Sequence, residues 1–440
     1  MSQVELTTLG KSCEFFNGKA HEKSIDENGK YIVVNSKFIS SEGKSFKRTN
    51  EQMFPLFKGD IVMVMSDVPN GKALAKCFII DQDDTYSLNQ RICCIRSKEF
   101  DTKYLYYQLN RHEHFLAFNN GENQTNLRKD DILACPLIKP SLEEQKRIAN
   151  ELDEIFGKIS LAKQNIAKNI ENTNDIFQTI LIDCLQGKIY NSEDLANDLL
   201  DKLKAAKIDL IKTKAIMDKK DNNKYPLEDI PFDIPKNWDW AYLSDISIIQ
   251  EGPGIRKHQY KNAGIQFLTV TNILEGSVDL EKSKKYISKT EYSEKYVHFT
   301  INKGDIVTAC SGGTWGKSAI YDFDEKLMLN TSTLRLRFFK DLGENKYLYY
   351  LTKAKYFKHN LSQYSTGQQP NYGYSHYSKI PIPIPPKAVQ VELSKILEEY
   401  EIKIGNLLSK YESKFEVLTE LEKTIHQNVF SDKSELIITE

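Results

Sequence analysis

Apolar residues recur at alternating intervals of four and three positions between Glu143 and Gln186. This heptad spacing predicts a long helix with a narrow apolar edge, the kind of edge that pairs with a second helix in a coiled coil. The pattern returns 245 residues later, and one polar residue interrupts each copy, Asn169 in the first and Lys414 in the second. The predicted seam positions are Ile148, Leu152, Ile155, Ile159, Ile166, Leu393, Leu397, Tyr400, Ile404 and Leu407.

These two stretches predict an intramolecular coiled coil about 50 Å long, at ~1.5 Å of rise per residue. The alternative is that the two amphipathic helices pack separately on globular cores. A globular core requires a wider apolar stripe than this one, and Glu and Lys residues flank the seam, so the coiled coil is favoured. Such a pair of helices would act as a spacer between other parts of the chain.

The repeat extends into the sequence that precedes each helix. The pentapeptide Lys-Gly-Asp-Ile-Val occurs at 58–62 and again at 303–307, at the same offset of 245 residues. Internal similarity at a fixed offset is typical of duplicated structural units. The protein is therefore interpreted as a tandem duplication of one unit, a mixed domain followed by a helix.

Each mixed domain is expected to combine short strands with short helices. Tyr31 to Val34 and Ile265 to Val270 carry the β-branched and aromatic residues typical of strands. The Lys-Gly-Asp motif predicts a turn that leads into a further strand, and Lys-Tyr-Leu-Tyr-Tyr, at 103–107 and 346–350, predicts a short helix packed through its aromatic rings. We therefore expect an α+β fold with two similar mixed α/β domains, each containing a curved or barrel-like sheet.

These patterns divide the chain into six segments. Asn191 to Asp194 are expected to cap a short charged helix that runs to about Lys214. A lead-in rich in proline and aromatic residues precedes the second domain, whereas the first domain begins at about Leu6 without one. The segments are a first domain (1–140), a central long helix (141–190), a charged linker with a short helix (191–235), a second domain (236–385), a C-terminal long helix (386–430) and a tail (431–440).

Composition places the chain among ordinary globular proteins, with 40% hydrophobic and 28% charged residues in 440. No stretch approaches the ~20 apolar residues of a membrane span, and the N-terminus lacks the pattern of a secretion signal. The seven cysteines form no Cys-x-x-Cys pair and lie mostly within apolar runs. We therefore expect a cytoplasmic protein with reduced, buried thiols and no contact with a membrane.

Positive charge is concentrated outside the helices, although the whole chain has a net charge of −1. Each long helix carries five basic and eight acidic residues, a charge of −3. The first mixed domain has 19 basic and 18 acidic residues, and the second has 21 and 14, which gives +1 and +7. This division is compatible with nucleic-acid binding by the domains, and by the second domain above all.

One segment, Ser-Gly-Gly-Thr-Trp-Gly-Lys-Ser at 311–318, is close to a phosphate-binding loop. A true loop needs glycine where Ser311 stands and opens a helix, so that amide donors and the helix dipole face the phosphate. Here Ala-Ile-Tyr at 319–321 predicts a strand, which argues against nucleotide hydrolysis. The sequence has no Asn/Asp-Pro-Pro-aromatic tetrad, metal-spaced histidines or nucleophile motif. We therefore expect a non-catalytic chain without a metal or cofactor of its own.

Two groups of basic residues are candidates for contacts with DNA phosphates, because neutralising phosphate charge requires such groups. Glycine and proline predict that both groups lie in loops, since Gly43 is inside the first and Gly252-Pro253-Gly254 precedes the second. Either group by itself is more commonly a solvated surface. The first contains Lys37, Lys44, Lys47 and Arg48, and the second contains Arg256, Lys257, His258, Tyr260 and Lys261.

Two stretches rich in asparagine and glutamine are candidates for reading base edges, because these amides can form bidentate hydrogen bonds with a base. Their equivalent places in the two domains weigh against an ordinary solvated surface. Each domain also has a glycine-bearing loop with a lysine, Lys72 or Lys317, suited either to a DNA backbone contact or to a plain surface hairpin. The stretches contain Gln124, Asn126, Arg128 and Lys129 in the first domain and Gln368, Gln369 and Asn371 in the second.

Short motifs mark the boundaries between the domains and the helices. The lead-in reads Ile-Pro-Phe-Asp-Ile-Pro-Lys-Asn-Trp at 230–238, and each long helix opens with proline and, five positions later, glutamine: Pro140 with Gln145, and Pro385 with Gln390. In these motifs and in the order of its parts, nearly the whole chain resembles the specificity subunit of a type I restriction-modification enzyme. The resemblance implies that each domain reads one half of a split DNA sequence and that the helices pack antiparallel as a ruler between the domains.

The resemblance also implies partners. Two methyltransferase (M) subunits would supply S-adenosylmethionine chemistry, and restriction (R) subunits would cleave and translocate DNA, so S-adenosylmethionine, ATP and Mg are expected on partner subunits. The expected ligand is double-stranded DNA, bound as one bipartite sequence with strong salt dependence. The alternatives are a specificity module of another multi-subunit DNA methyltransferase, a coiled-coil scaffold that binds only protein and, least favoured, a nucleotide hydrolase that uses the loop at 311–318.

Overall fold

The computed structural model describes residues 5–69, 71–219, 227, 230–364 and 370–430. The chain divides into two compact units, the first formed by Met1–Ala167 with Ser413–Glu440 and the second by Lys168–Glu412. Each unit therefore contains one mixed domain and part of each long helix. Across the described residues, no helix is both long enough and apolar enough to cross a membrane.

The first domain consists of short strands and short helices that lead into a long helix. Its strands are β1 (Glu5–Thr8), β2 (Glu14–Asn17), β3 (Tyr31–Val34), β4 (Lys47–Thr49), β5 (Ile61–Val64), β6 (Ser66–Asp67), β7 (Cys77–Ile79), β8 (Tyr86–Leu88), β9 (Ile92–Arg96), β10 (Thr125–Asn126) and β11 (Pro136–Lys139). Its helices are α1 (Leu9–Ser12), α2 (Ser36–Ser40), α3 (Thr102–Leu109), α4 (Glu113–Leu116) and α5 (Lys129–Leu133), and the first long helix is α6 (Leu142–Leu185).

The second domain follows a linker helix and leads into the second long helix. Its strands are β12 (Asp239–Tyr242), β13 (Ser247–Glu251), β14 (Ile265–Phe267), β15 (Tyr286–Ile287), β16 (Thr300–Ile301), β17 (Ile306–Ala309), β18 (Ser318–Ile320), β19 (Leu327–Met328), β20 (Thr333–Phe338) and β21 (Pro381–Ile384). The helices are α7 (Leu199–Lys212) in the linker, α8 (Leu243–Ile246), α9 (Lys289–Glu291), α10 (Asn345–Lys353), α11 (Lys355–Ser362), α12 (Tyr374–Tyr377) and the long helix α13 (Lys387–Phe430).

The two domains share one strand topology. A four-stranded antiparallel sheet has the order β2-β9-β5-β7 in the first domain and β13-β20-β17-β18 in the second. A second, smaller sheet of shorter strands has the order β4-β3-β8 in the first domain and gains one strand in the second, β15-β14-β19-β16; it contains one parallel pair in each, β3 with β8 and β14 with β19. The first strand pairs antiparallel with the last in both, β1 with β11 and β12 with β21. The duplication predicted from the repeated pentapeptide, and the α+β class, are therefore confirmed.

The strand after the Lys-Gly-Asp turn is buried on both of its faces. In β5, Ile61 and Met63 belong to the apolar core that includes α3 and the start of α6, while Val62 and Val64 belong to a separate core with the smaller sheet. A strand between two apolar layers carries a continuous apolar run instead of alternating apolar and polar residues. This arrangement accounts for the sequence Ile-Val-Met-Val.

The aspartate of the repeated Lys-Gly-Asp motif forms a buried ion pair in both domains. Asp60 is 2% exposed, accepts a hydrogen bond from the Phe57 amide at 2.9 Å and contacts the Arg96 guanidinium at 2.7 Å. Asp305 is fully buried and pairs with Arg337 of β20 at 3.1 Å. The predicted turn and strand are confirmed, and the motif recurs because its carboxylate ties the turn to the neighbouring strand.

The long helices confirm the predicted coiled coil but contact their surroundings along a different stripe. Ile148, Leu152, Ile159 and Ile166 are buried on α6, as are Leu393 and Leu397 on α13, and Ile404 is half-buried. Three predicted seam residues are instead 38–40% exposed: Ile155, Tyr400 and Leu407. On both helices, one of the two heptad positions faces the contact surface as predicted. The residues at the other position lie one residue later than predicted and are half-buried: Phe156 and Lys163 on α6, and Glu401 and Leu408 on α13.

The shift has a physical cause in the domains. The ring of Phe156 packs on Tyr107 of α3 with 5.4 Å between centroids, and Lys353 of α10 lies over the ring of Phe177 at 5.8 Å. Helix α6 therefore turns its contact face partly toward the domain in each unit, and on α13 the shifted position Glu401 accepts a hydrogen bond from the Tyr350 hydroxyl of the second domain at 3.0 Å. The polar residues Asn169 and Lys414 are exposed, so the interruptions in the predicted seam lie outside the contact stripe.

Contacts inside the first unit give the direction of the helix pair. Lys163 forms an ion pair with Glu422 at 2.5 Å. Earlier on α6, Ile148 belongs to the same apolar cluster as Ile425 and Val429, near the end of α13. Residues that come earlier on α6 therefore meet residues that come later on α13. The two helices are antiparallel in this unit, as the resemblance implied.

Three local predictions needed correction. The linker helix begins at Leu199 instead of near Asn191, because Asn191 accepts a hydrogen bond from the Trp238 indole at 2.8 Å and so holds the lead-in rather than capping a helix. The strand predicted to run from Ile265 to Val270 ends at Phe267, where the side chain of Asn272 accepts from the Thr269 amide and turns the chain. The third concerns the first basic group, described below.

Candidate nucleic-acid interface

In the first unit, the glycine-bearing loop and the amide-rich stretch lie side by side. Strand β6 pairs antiparallel with β10, so that Ser66 faces Asn126, and the Gln124 side chain donates to the Ser66 hydroxyl at 2.8 Å. The Asp67 carboxylate closes the loop by accepting hydrogen bonds from three amides, including that of Ala73 at 2.6 Å. A polar surface results from segments about sixty residues apart in the sequence.

The second unit repeats this pairing in the same register. Ser311 forms an antiparallel bridge with Asn371, and these residues match Ser66 and Asn126 of the first unit. The neighbouring Tyr372 amide donates to the Cys310 carbonyl at 2.8 Å, and its ring packs on Trp315 with 4.8 Å between centroids. Two domains with different loop sequences thus present an exposed asparagine at the same position.

The exposure of these side chains suits a binding surface. Gln124, Asn126, Arg128, Lys129 and Lys72 are exposed in the first unit. In the second, Asn371 is exposed and Lys317 is half-buried, whereas Gln368 and Gln369 lie outside the described residues. The loop at 311–318 leads into β18 and not into a helix, which confirms the strand predicted there and removes the geometry of a phosphate-binding loop.

The first basic group lies on regular structure and not in one loop, contrary to the prediction. Lys37 is on α2, Lys44 is in the turn that follows, and Lys47 and Arg48 are on β4. The three lysines are exposed. Arg48 is half-buried, donates to the Gly29 carbonyl at 3.2 Å and lies over a phenylalanine ring. Its guanidinium therefore makes contacts within the domain and is less available to DNA than the three lysines.

The second basic group follows the Gly-Pro-Gly segment, as predicted, and includes a single 3-10 turn, Lys257–Gln259. Arg256, Lys257, His258 and Lys261 are exposed. Tyr260 is half-buried because its ring packs on Phe267 with 5.2 Å between centroids, and the Lys285 ammonium lies over the Tyr260 ring, 5.4 Å from its centroid. Tyr260 therefore packs against the domain and does not present its ring to solvent as its neighbours do. Lys285 is a further basic residue that the sequence pattern missed.

The contacts among described residues do not join the basic groups to the asparagine-bearing loops. The asparagine-bearing surface of the first unit has positive charge of its own, because Arg128 and Lys129 are exposed there. Phosphate contacts require only positive charge, whereas base readout requires amides or guanidinium groups in a defined geometry. The amide-rich stretch of the first unit therefore carries groups suited to both kinds of contact.

The cysteines have no features of reactive nucleophiles. All seven are unpaired, six are buried and Cys13 is half-buried, as the sequence predicted. Burial raises the pKa of Cys93 and of Cys310 to about 12, so these thiols are protonated at neutral pH and unreactive. Among the residues that the structure describes, no group of three or more His, Cys, Asp or Glu side chains is arranged to hold a metal ion.

A duplicated fold with an equivalent polar site in each copy defines a class of protein with two related binding domains. The profile of the type I restriction modification DNA specificity domain matches residues 1–172 and 235–412, one match for each domain and the first part of the long helix that follows it. The chain belongs to this family.

Individual relatives are distant in sequence, and the share of each chain that aligns differs among them. The MjaVIII type I restriction enzyme specificity subunit of Methanocaldococcus jannaschii is 24% identical over 442 residues, which covers 98% of this chain and 92% of that protein. The EcoEI specificity subunit of Escherichia coli is 22% identical over 60% of this chain and 46% of its own length. A solved structure from work on assembly and conformational transition of the type I R-M system has a TM-score of 0.68 at 14% identity and covers 98% of both chains, which supports the fold.

Proposed function

We propose that this chain is the DNA sequence-specificity subunit of a type I restriction-modification system. Each unit reads one half of a bipartite site in double-stranded DNA, and the two long helices set the number of base pairs between the halves. The observation that carries the proposal is the repeated pairing of Asn126 with Ser66 and of Asn371 with Ser311. Two sites with the same framework and different loop sequences suit a protein that reads two different half-sites.

The exposed asparagines are assigned to base readout in this proposal. An asparagine side chain can donate to N7 and at the same time accept from the N6 amino group of adenine; this bidentate contact distinguishes one base pair from the others by about 1–3 kcal/mol. Asn126 ends strand β10 and Asn371 lies in an isolated antiparallel bridge, so backbone pairing fixes the position from which each side chain projects. A fixed amide loses less conformational entropy on binding than one on a free loop.

The exposed basic residues are assigned to phosphate contacts. Lys37, Lys44 and Lys47 serve the first unit, and Arg256, Lys257 and Lys261 serve the second. The second domain has a charge of +7 and the first only +1, so the second supplies more of the affinity that depends on salt. The first domain then depends more on partner subunits for its affinity for DNA.

The catalytic steps are assigned to partners. Two methyltransferase subunits dock on the long helices and methylate the bound site with S-adenosylmethionine, and restriction subunits use ATP and Mg to translocate and cleave DNA. The exposed apolar residues along the helices, such as Leu161 and Ile402, each 59% exposed, support docking of other subunits there. This chain contributes recognition and spacing and carries out no chemical step.

The test is binding of the complete methyltransferase complex to defined duplexes. Methylome sequencing of cells that express the system first gives the modified site. Filter binding should then show at least about a thousandfold preference for that site over random duplex, with affinity falling steeply as salt increases. Equal affinity for both duplexes would contradict the proposal, and absence of DNA binding even with partners would favour a protein-binding scaffold.

Two matched substitutions test the assignment of one half-site to each unit. Asn126→Ala should relax the base preference in one half of the site only, and Asn371→Ala should relax it in the other half only, by about 1–3 kcal/mol in each case. Lys47→Ala, in the first unit but away from the paired loop, is the control and should weaken binding to all sequences alike. If the two asparagine variants change the same half-site, or change affinity without changing preference, the assignment is wrong.

A further inference from the structure

A buried glutamine opens each long helix. Gln145 lies in the first turn of α6 and Gln390 in the first turn of α13, and their side chains are 1% and 0% exposed. Glutamine is rarely buried unless its amide has hydrogen-bond partners. The two positions are 245 residues apart, so both copies of the duplicated unit keep the same buried amide.

Gln145 uses both ends of its amide. Its Oε1 accepts a hydrogen bond from the Asp101 backbone amide at 2.8 Å, and its Nε2 donates to the Pro140 carbonyl at 2.9 Å. Asp101 is the N-cap residue of α3, and Pro140 links β11 to α6. One side chain therefore ties the start of the long helix to the residue that follows the last strand and to the start of α3 in the same domain.

Gln390 makes the same two contacts in the second unit. Its Oε1 accepts from the Glu344 backbone amide at 2.8 Å, and its Nε2 donates to the Pro385 carbonyl at 2.9 Å. Glu344 is the N-cap residue of α10, and Pro385 follows β21. The agreement of partners and distances in two domains with different sequences indicates that the contact belongs to the shared framework.

A second attachment lies eight residues further along each helix, at about 12 Å for a rise of 1.5 Å per residue. In the first unit, Asp153 pairs with Lys103 and accepts from the Tyr107 hydroxyl at 2.5 Å. In the second, Glu398 pairs with Lys346 at 2.5 Å. Two attachments fix the direction of a helix as well as its position. The lysines are 56% and 34% exposed, so the buried glutamines are the stiffer attachment of the two.

Discrimination between spacer lengths requires this stiffness. On B-form DNA, one additional base pair moves a half-site by about 3.4 Å along the axis and rotates it by about 34°. A domain that could pivot at the start of its helix would follow such a displacement. A domain held by a buried amide at that junction would not follow it, because the movement would break both hydrogen bonds at a site closed to solvent and leave buried polar groups unpaired.

We propose that Gln145 and Gln390 are positioning residues that hold each domain on its long helix and thereby determine how strictly the protein reads spacer length. The inference rests on the proposed function, because it requires two half-sites separated by the helices. The glutamines do not touch DNA. Their effect is on the tolerated spacer and not on the bases read in either half-site.

The experiment measures spacer tolerance with the complete system. The chain and its partner subunits are expressed in a host that lacks other DNA methylation, and the methylome gives the modified sites. The wild-type chain should modify one spacer length. The double variant Gln145→Ala, Gln390→Ala should raise modification of sites with one base pair more or fewer by about tenfold or greater, which corresponds to a loss of about 1.4 kcal/mol of discrimination, with unchanged half-site sequences.

Gln164→Ala is the matched control, since it removes an exposed glutamine from the middle of α6. It should retain the wild-type spacer preference. Strict retention of one spacer by the double alanine variant would overturn the proposal, and so would equal relaxation in the control. If the wild-type system modifies no bipartite site, the proposed function fails instead, so the two failures can be told apart.

A variant of similar size covers a failure to fold. In Gln145→Met with Gln390→Met, the side chain keeps its length and can fill the same buried space, but it neither accepts from the backbone amides of Asp101 and Glu344 nor donates to the proline carbonyls, and it adds no buried charge. If thermal unfolding shows that the alanine variant is not folded, the methionine variant carries the test. Relaxed spacing in that variant supports the proposal, and strict spacing contradicts it.

Discussion

The shifted seam of the long helices leads to a sharp prediction about two neighbouring isoleucines. Heptad spacing makes Ile155 and Ile159 equivalent members of one apolar edge, but Ile159 is 6% exposed and Ile155 is 39% exposed. Alanine at each position removes the same atoms from the same helix and has the same effect on helix propensity. The difference between the two variants therefore reports on packing alone.

The magnitudes follow from burial. A buried isoleucine replaced by alanine loses its transfer free energy and leaves a cavity, so Ile159→Ala should destabilise the helix pair by about 3 kcal/mol. At Ile155 much of the side chain already contacts water and the site can relax, so the loss should be about 1 kcal/mol. The expected difference of about 2 kcal/mol is large enough to measure.

Native-state hydrogen exchange followed by mass spectrometry is the suitable assay, because it gives the local free energy of opening. In peptides that span 148–166, exchange should accelerate about a hundredfold in Ile159→Ala and about fivefold in Ile155→Ala, at 1.4 kcal/mol for each factor of ten. Equal acceleration in the two variants would refute the shifted stripe and restore the simple heptad seam.

Three further predictions concern the domains. Asp305→Ala should destabilise the second unit by about 3–5 kcal/mol, because two arginines lose a buried counter-charge. The control Asp324→Ala changes a side chain that is 94% exposed and should cost less than about 1 kcal/mol. Equal urea midpoints for the two variants, measured by tryptophan fluorescence, would contradict this. Reversing the charges of Arg256 and Lys257 should weaken binding to every duplex and reduce the salt slope by about two or more, and an effect limited to one sequence would be inconsistent with phosphate contacts. Burial lowers the pKa of His112 from 6.5 to about 4, so the unfolded chain binds the proton more tightly and stability should fall as pH decreases from about 6.5 to about 4. His112→Asn, which can keep the helix cap, should flatten part of that decline in pH-dependent unfolding, and an unchanged profile would exclude His112 as its source.

Much of the fold could be predicted because the chain repeats itself. A pentapeptide found twice gave a duplicated unit, and proline after the last strand of each domain marked the start of α6 and α13. These signals are local: they depend on backbone restrictions of proline and on the turn at Gly59, whose φ of 91° favours glycine. Such local signals can be recognised in the sequence without any knowledge of the tertiary structure.

The helix seam could be predicted only in part, because heptad spacing identifies apolar residues and not the surfaces that they meet. Phe156 turns toward Tyr107, a residue of the domain, and this contact rotates the stripe away from Ile155. The sequence contains both aromatic residues. Their proximity depends on how α3 packs against α6, which no spacing along a single helix encodes.

The candidate binding surfaces show the same limit. The pairing of Ser66 with Asn126 joins segments far apart in the chain, so the two could be proposed separately but not as one surface. Arg48 and Tyr260 were grouped with exposed neighbours by residue type, yet the structure directs Arg48 to a backbone carbonyl and Tyr260 to an aromatic core. Residue type gave the chemistry, and tertiary contacts decided which groups remain available.

The central claim is that the long helices fix the distance between two independently read half-sites. The most direct measurement is the methylome of cells in which one heptad is inserted into both α6 and α13, so that their pairing is kept. Seven residues add ~10.5 Å of helix, and a base pair adds about 3.4 Å of DNA, so the spacer should lengthen by up to about three base pairs while both half-site sequences stay the same. Methylation of the original spacer by the longer protein, or a change in either half-site sequence, would contradict the account.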